Sequence, residues 1–148
     1  MEHGENEMRN LYLVGEIRDK QREIIEKLVR VESALEKVTS RMDIIPGGGY
    51  TDRFTFLIGM KIDLENELDL VSKEYVDAQF ELSKWFDEVC KNEIVARVME
   101  RRYGMLESFR DIAKYLRISE RQVYRLHKIG LERLDNVRND FKDSNAET

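Results

Sequence analysis

Three features of this 148-residue sequence predict an all-α protein. Proline occurs once, at Pro46, so almost nothing in the chain interrupts a helix. Two stretches repeat apolar residues at alternating spacings of three and four, one on each side of a Pro-Gly-Gly-Gly break. A third stretch, Ser108 to Leu134, holds two shorter amphipathic segments separated by a turn. Together they predict a long antiparallel helical hairpin, coiled-coil-like, followed by a C-terminal three-helix helix-turn-helix domain.

The first long helix is expected from Leu11 to about Met42. Val14, Ile17, Gln21, Ile24, Leu28, Val31, Leu35, Val38 and Met42 form its seam, broken only by Gln21. Asp43 to Asp52, DIIPGGGYTD, ends it. Thr51 or Asp52 then caps a second helix running to about Val89. Its seam is Leu57, Met60, Leu64, Leu68, Val71, Tyr75, Ala78, Leu82, Trp85 and Val89, and the aromatic cluster Tyr75, Phe80, Trp85, Phe86 reads most simply as core. Helices of similar length joined by a short loop fold back on each other. Such a pair buries one stripe per helix, so a second copy is expected to complete it as a dimer.

A further helix is expected from Glu93 to Tyr103, capped by Asn92, faced by Ile94, Val95, Val98 and Met99, and closed by Gly104. Ser108 then caps a helix whose apolar stripe is Ile112, Ala113 and Leu116, with Asp111 three residues beyond the cap. Ser119 is a second cap, with Gln122 where a capping box takes Glu or Gln. Val123, Leu126, Ile129 or Gly130, and Leu134 should face inward, with small Ala113 where the two helices cross. Glu120, Arg121, Tyr124, Arg125 and Lys128 remain on the outward face of the second helix. A helix fits the major groove and arginine reads a guanine edge bidentately, so this face is a candidate DNA reader. The plainer reading is an ordinary helix pair with a solvated charged face. Arg117 stands at the turn where glycine is common. Either it takes a left-handed conformation at a cost of about 1 kcal/mol, or the turn has another shape.

Net charge is −5, which alone argues against nucleic acid, but its distribution reverses that. From Arg97 to Arg133 ten Lys or Arg face five acids, a net of +5, leaving −10 for the rest of the chain. A basic end on an acidic body would orient the protein on DNA. The expected organisation is a disordered N-terminus at 1–10, a hairpin serving as oligomerisation arm over 11–90, the DNA-binding domain over 91–135 and a polar tail over 136–148.

Enzyme chemistry finds little support. Pro46-Gly47-Gly48-Gly49 lacks the following Gly-Lys-Ser/Thr of a phosphate loop and reads as a turn. His3, His127 and the single Cys90 lack metal-ligand spacing, and His127 is expected near the DNA-facing surface. Carboxylate pairs such as Glu65 with Asp69 lie on solvated faces. No catalytic residue, cofactor or metal is expected. One cysteine forms no internal disulfide, no apolar run approaches the ~20 residues of a membrane span, and Met1 to Asn10 has no signal-peptide character. A cytoplasmic protein without membrane contact is expected.

The segment VMERRYGMLESFRDIAKYLRISERQVYRLHKIGLERL resembles region 4 of sigma-70-type factors. With PGGGYTD between two long helices and the VYRLHKIGLERL ending, residues 11 to 134 are similar to sigma-like late-transcription regulators of phages and prophages of Gram-positive bacteria, the ArpU-like and RinA-like activators. The resemblance implies a sequence-specific activator of late genes in a bacterial host cytoplasm, acting on double-stranded DNA as a dimer. By position Glu120, Arg121, Gln122, Tyr124, Arg125 and Lys128 would form the recognition helix, with Arg110 and Lys114 towards phosphates and Arg117 in the turn beside them. RNA polymerase is a further implied partner, for which the acidic hairpin is a candidate surface. Arg117 departs from the usual turn glycine, and Phe109 stands where such proteins often have Trp. Two rivals carry similar features: a phage terminase small subunit, and a protein-binding adaptor whose degenerate sigma-like domain touches no DNA.

Overall fold

The computed structural model describes residues 10–44, 50–91 and 93–146, and among these the fold is all-α. Helices α1 (Leu13–Ile44) and α2 (Tyr50–Cys90) are long. Next come α3 (Ile94–Met99), a π-helical turn Glu100–Gly104, α4 (Phe109–Leu116) and α5 (Glu120–Ala146). The expected turn at Pro46–Gly49, the cap at Asn92, His3, and residues 1–9 of the expected disordered N-terminus lie outside the described residues. The chain divides into two compact units, residues 16–75 and residues 76–148 with 1–15.

In the first unit α1 and α2 lie side by side in opposite directions. Arg18 donates to the Tyr75 hydroxyl at 3.4 Å, Gln21 to Ser72 Oγ at 3.1 Å, and Lys61 sits 3.8 Å from Glu32. The numbers of each pair total 93, one constant antiparallel register. Between the helices Ile17, Ile24, Leu28, Val31, Leu35 and Val38 are buried against Leu57, Leu64 and Val71. Gln21, the polar break in the α1 seam, is accommodated because Ser72 gives its amide a partner at the edge. Met60 departs from the expected α2 seam: it is exposed, and Leu68 is only half-buried.

In the second unit the buried row of α2 is Ala78, Leu82, Phe86 and Cys90, so after Leu82 the seam runs through Phe86 and not Trp85. Spacings of four shift the stripe around the helix, because this end serves the α3–α5 core and not α1's heptads. Phe80, expected in the core, is 71% exposed. That core consists of Val95, Ala96, Val98, Met99, Tyr103, Ile112, Ala113, Val123, Leu126 and Leu134, with Val14. Ile94, predicted inward, is exposed, and Ala96 takes the inward place. Glu93 caps α3 in extended conformation without a side-chain bond.

Gly104 does not end its helix in a left-handed conformation. The π turn is closed by Met105 N–H donating to Glu100 O at 3.1 Å, and the left-handed residue is Leu106, φ 58°. The wider π turn holds both Tyr103 and Gly104 inside, and Gln79 donates to Gly104 O at 2.8 Å. At the other end α5 continues to Ala146, so residues 136–146 of the expected polar tail are helical. Their polar composition gave no core stripe, yet helix propagation from a packed first half costs little.

Candidate nucleic-acid interface

Two side-chain caps and one left-handed residue set the geometry of α4 and α5. Ser108 Oγ accepts from Asp111 N–H at 3.2 Å, and Ser119 Oγ accepts from Gln122 N–H at 3.1 Å. Each satisfies a backbone donor that the helix start leaves open. Between the helices Arg117 has φ 58°, ψ 44°, and Ile118 N–H closes onto Ala113 O at 3.1 Å. Of the two alternatives for this turn, the strained arginine is the one realised, in a Schellman-type closure that normally takes glycine.

The inward row of α5 follows its pattern: Val123, Leu126, Gly130 and Leu134 are buried, and Ile129 is half-buried. Gly130 marks a close approach to α3. A Cβ there would stand 2.6 Å from Met99 Sδ and 2.8 Å from its Cγ. Ile112 and Ala113 of α4 are buried too, and α4 packs against α5 and the π turn.

All nine candidate site residues are exposed: Arg110, Lys114 and Arg117 on α4 and its turn, and Glu120, Arg121, Gln122, Tyr124, Arg125 and Lys128 on α5. Arg121, Gln122 and Arg125 line one shallow concavity at the start of α5. Ser119, read from sequence only as a cap, lines it too. Among the described residues, none of the six cations forms an ion pair. Three other basic residues of this unit are engaged. Arg101 lies 2.8 Å from Glu107 and over the Tyr115 ring, Arg102 lies over Phe109, and Arg133 pairs with Glu93 at 3.0 Å. Of the ten cations from Arg97 to Arg133, three therefore brace the unit, six stand outward on α4, the turn and α5, and Arg97 stands exposed on α3.

Tyr124 is the aromatic of this face, 54% exposed, with its ring 4.6 Å from that of Phe109. Phe109 also meets His127 edge-on at 5.0 Å, and His127 stacks on Tyr103, whose hydroxyl is 2.6 Å from Nε2. His127 is thus half-buried in an aromatic stack rather than directed to the exposed face. Burial, reinforced by the Arg102 guanidinium, pushes its pKa below the usual value. Burial pushes the Tyr103 hydroxyl up, with Tyr12 adding to it. A neutral imidazole accepting from a protonated phenol satisfies both shifts.

This second group, Arg102, Tyr103, Phe109 and His127, was not visible as a set from the sequence. Its one signal was that His127 falls three residues beyond Tyr124 on the same helix. Cys90 is buried, and burial raises its thiol pKa, so it is not an activated nucleophile. No group of three or more His, Cys, Asp or Glu among the described residues is placed to hold a metal. No described helix is long and apolar enough to cross a membrane.

No protein-family profile, curated protein or solved structure matches this chain.

Proposed function

We propose that this chain is a sequence-specific DNA-binding transcriptional regulator, a phage or prophage late-gene activator acting as a dimer. In this reading residues 91–135 form the helix-turn-helix domain and the two long helices form the oligomerisation hairpin. The observation that carries it is the first two turns of α5, where Arg121, Gln122 and Arg125 stand exposed around one concavity. That helix start is held by the Ser119 cap and the closure at Arg117. A rigid helix presenting arginines and an amide is what base-edge recognition requires, and Arg110, Lys114 and Arg117 lie where phosphate contacts set register. The dimer places two such helices in successive major grooves.

The test is selection of bound fragments from the source genome and its prophages, with wild type beside Arg121→Ala/Arg125→Ala. Enrichment of one upstream region, lost in the variant, is the expected result. Enrichment at a packaging site would instead assign a terminase small subunit. No enrichment even at low salt would overturn DNA binding and leave the protein-binding adaptor.

A further inference from the structure

One edge of the α1–α2 layer is defined by its cross-helix contacts. Arg18 and Glu32 both reach across to α2, at Tyr75 and Lys61, and Ile25 lies seven residues from each. Residues seven apart share a helix face, so Ile25 lies on this edge too. Continuing that stripe at steps of four and three, α1 reads Arg18, Arg22, Ile25, Val29, Glu32, Glu36. All but Arg18, which is half-buried, are exposed, with Ile25 at 47% and Val29 at 59%. On α2, Ser72 bonds to Gln21 and Glu65 lies 3.9 Å from Lys61, which puts Ile58, seven before Glu65, on the same edge. Ile62, four residues further, adds another 52% exposed isoleucine, level with Val31 in the register above.

This stripe is its own complement when reversed. Two basic residues come first, two apolar ones in the middle, two acidic ones last. Laid antiparallel on a second α1 about a two-fold axis between Ile25 and Val29, Arg18 meets Glu36, Arg22 meets Glu32, and Ile25 meets Val29. An isologous interface demands this property, since every contact occurs twice. The other faces of the layer lack it. Read at the same steps, the opposite flank of α1 is Glu16, Lys20, Glu23, Lys27, Arg30, Ala34, Lys37 and Arg41, of mixed sign and with no apolar pair at its centre. On the outward face of α2, Asp63 lies midway between Phe56 and Leu70, so a reversed copy would set Asp63 on Asp63.

We infer that the protein dimerises by antiparallel self-packing of α1 through Arg18, Arg22, Ile25, Val29, Glu32 and Glu36. This rests on the dimer of the proposed function and names its surface, and it is independent of the DNA contacts. Six positions over 19 residues span about 27 Å of helix, with the apolar patch at the centre and the charges at the rim. Glu32 is shared with Lys61 at 3.8 Å, a loose contact that leaves it able to meet an arginine.

The test is sedimentation equilibrium of the full chain without DNA, with far-ultraviolet circular dichroism to check helix content. Wild type is expected to be a dimer. Glu32→Arg/Glu36→Arg turns four attractive pairs per dimer into repulsive ones and should weaken association roughly ten-fold or more. Arg18→Glu/Arg22→Glu should do the same, and the quadruple variant carrying both changes should recover the dimer. A monomeric wild type would overturn the dimer itself. A wild-type dimer indifferent to either reversal, or a quadruple variant that fails to recover with helix content intact, would overturn this surface alone.

Discussion

The Tyr103 hydroxyl lies 2.6 Å from His127 Nε2, with the two rings stacked at 5.6 Å between centroids. This pair joins the π turn to the second turn of α5 and sits behind Tyr124, through Phe109.

The His127 pKa lies below its ordinary 6.5 because of burial and then Arg102, so the unfolded chain takes up that proton more readily than the folded one. Its stabilising contribution is complete above pH 6.5 and is lost as pH falls through the lowered folded value. Glu100 acts with the opposite sign. Burial and the neighbouring Asp87 raise it from 4.5, so its contribution is lost as pH rises past that value. Urea unfolding at pH about 7.5 and about 5.5, for wild type and His127→Gln, isolates the histidine. The variant should be less stable at the higher pH and should show a smaller loss on acidification. Equal losses in both proteins would show that His127 does not carry the acid sensitivity.

A methyl group added at position 130 has no room beside Met99. Alanine favours a helix over glycine by about 1 kcal/mol, and overpacking a filled core costs about 1–3 kcal/mol, so Gly130→Ala should be net destabilising. Met99→Ala alone should cost about 2–5 kcal/mol through the cavity it leaves. Thermal unfolding of the double variant should show less than the sum of the two losses, since the new methyl fills part of that cavity. Strict additivity would mean the two side chains do not compete for one space.

The parts legible in the sequence were those fixed by local pattern. The α1 seam from Val14 to Val38, the caps at Ser108 and Ser119, and the inward row Val123, Leu126, Leu134 need only periodicity and cap chemistry, and each is found in place. What was not legible depends on which neighbour a helix meets. Phe80 fits a helical aromatic cluster, yet no partner covers it within its unit, while Phe86 and Cys90 are buried because α2 changes its packing partner after Tyr75. The helix does stop at Gly104, as expected, but through a buried π turn that has no sequence pattern of its own. The sequence puts His127 near the DNA-facing surface because its bond to Tyr103 spans 24 residues, beyond the reach of any local rule.

At the turn, Arg117 holds φ 58° without the freedom of glycine. Arg117→Gly should relieve about 1 kcal/mol of backbone strain and raise the midpoint of thermal unfolding by several degrees. If the same arginine also touches a phosphate, the variant should bind DNA more weakly and show a salt slope smaller by about 0.9. Stabilisation with an unchanged slope would leave Arg117 as a turn residue only. A variant no more stable than wild type would show that the strain is offset elsewhere in the turn.

Arg125 and Lys114 are both exposed cations in the same unit, yet the proposed interface gives them different work. Arg125 lies in the concavity at the start of α5, aligned with Arg121 and Gln122, where base edges would enter. Lys114 lies on the last turn of α4, where backbone phosphates would pass. Arg125→Ala should cost about 1–3 kcal/mol on the selected site and relax preference at one base position. Lys114→Ala should weaken selected and unrelated sequences alike and lower the salt slope by about 0.9. Competition binding against single-base variants of the selected site, repeated over a series of salt concentrations, reads both effects. If Arg125→Ala leaves affinity and preference untouched, the recognition face has been placed on the wrong side of α5, because an arginine in that concavity cannot be a bystander to a helix docked there.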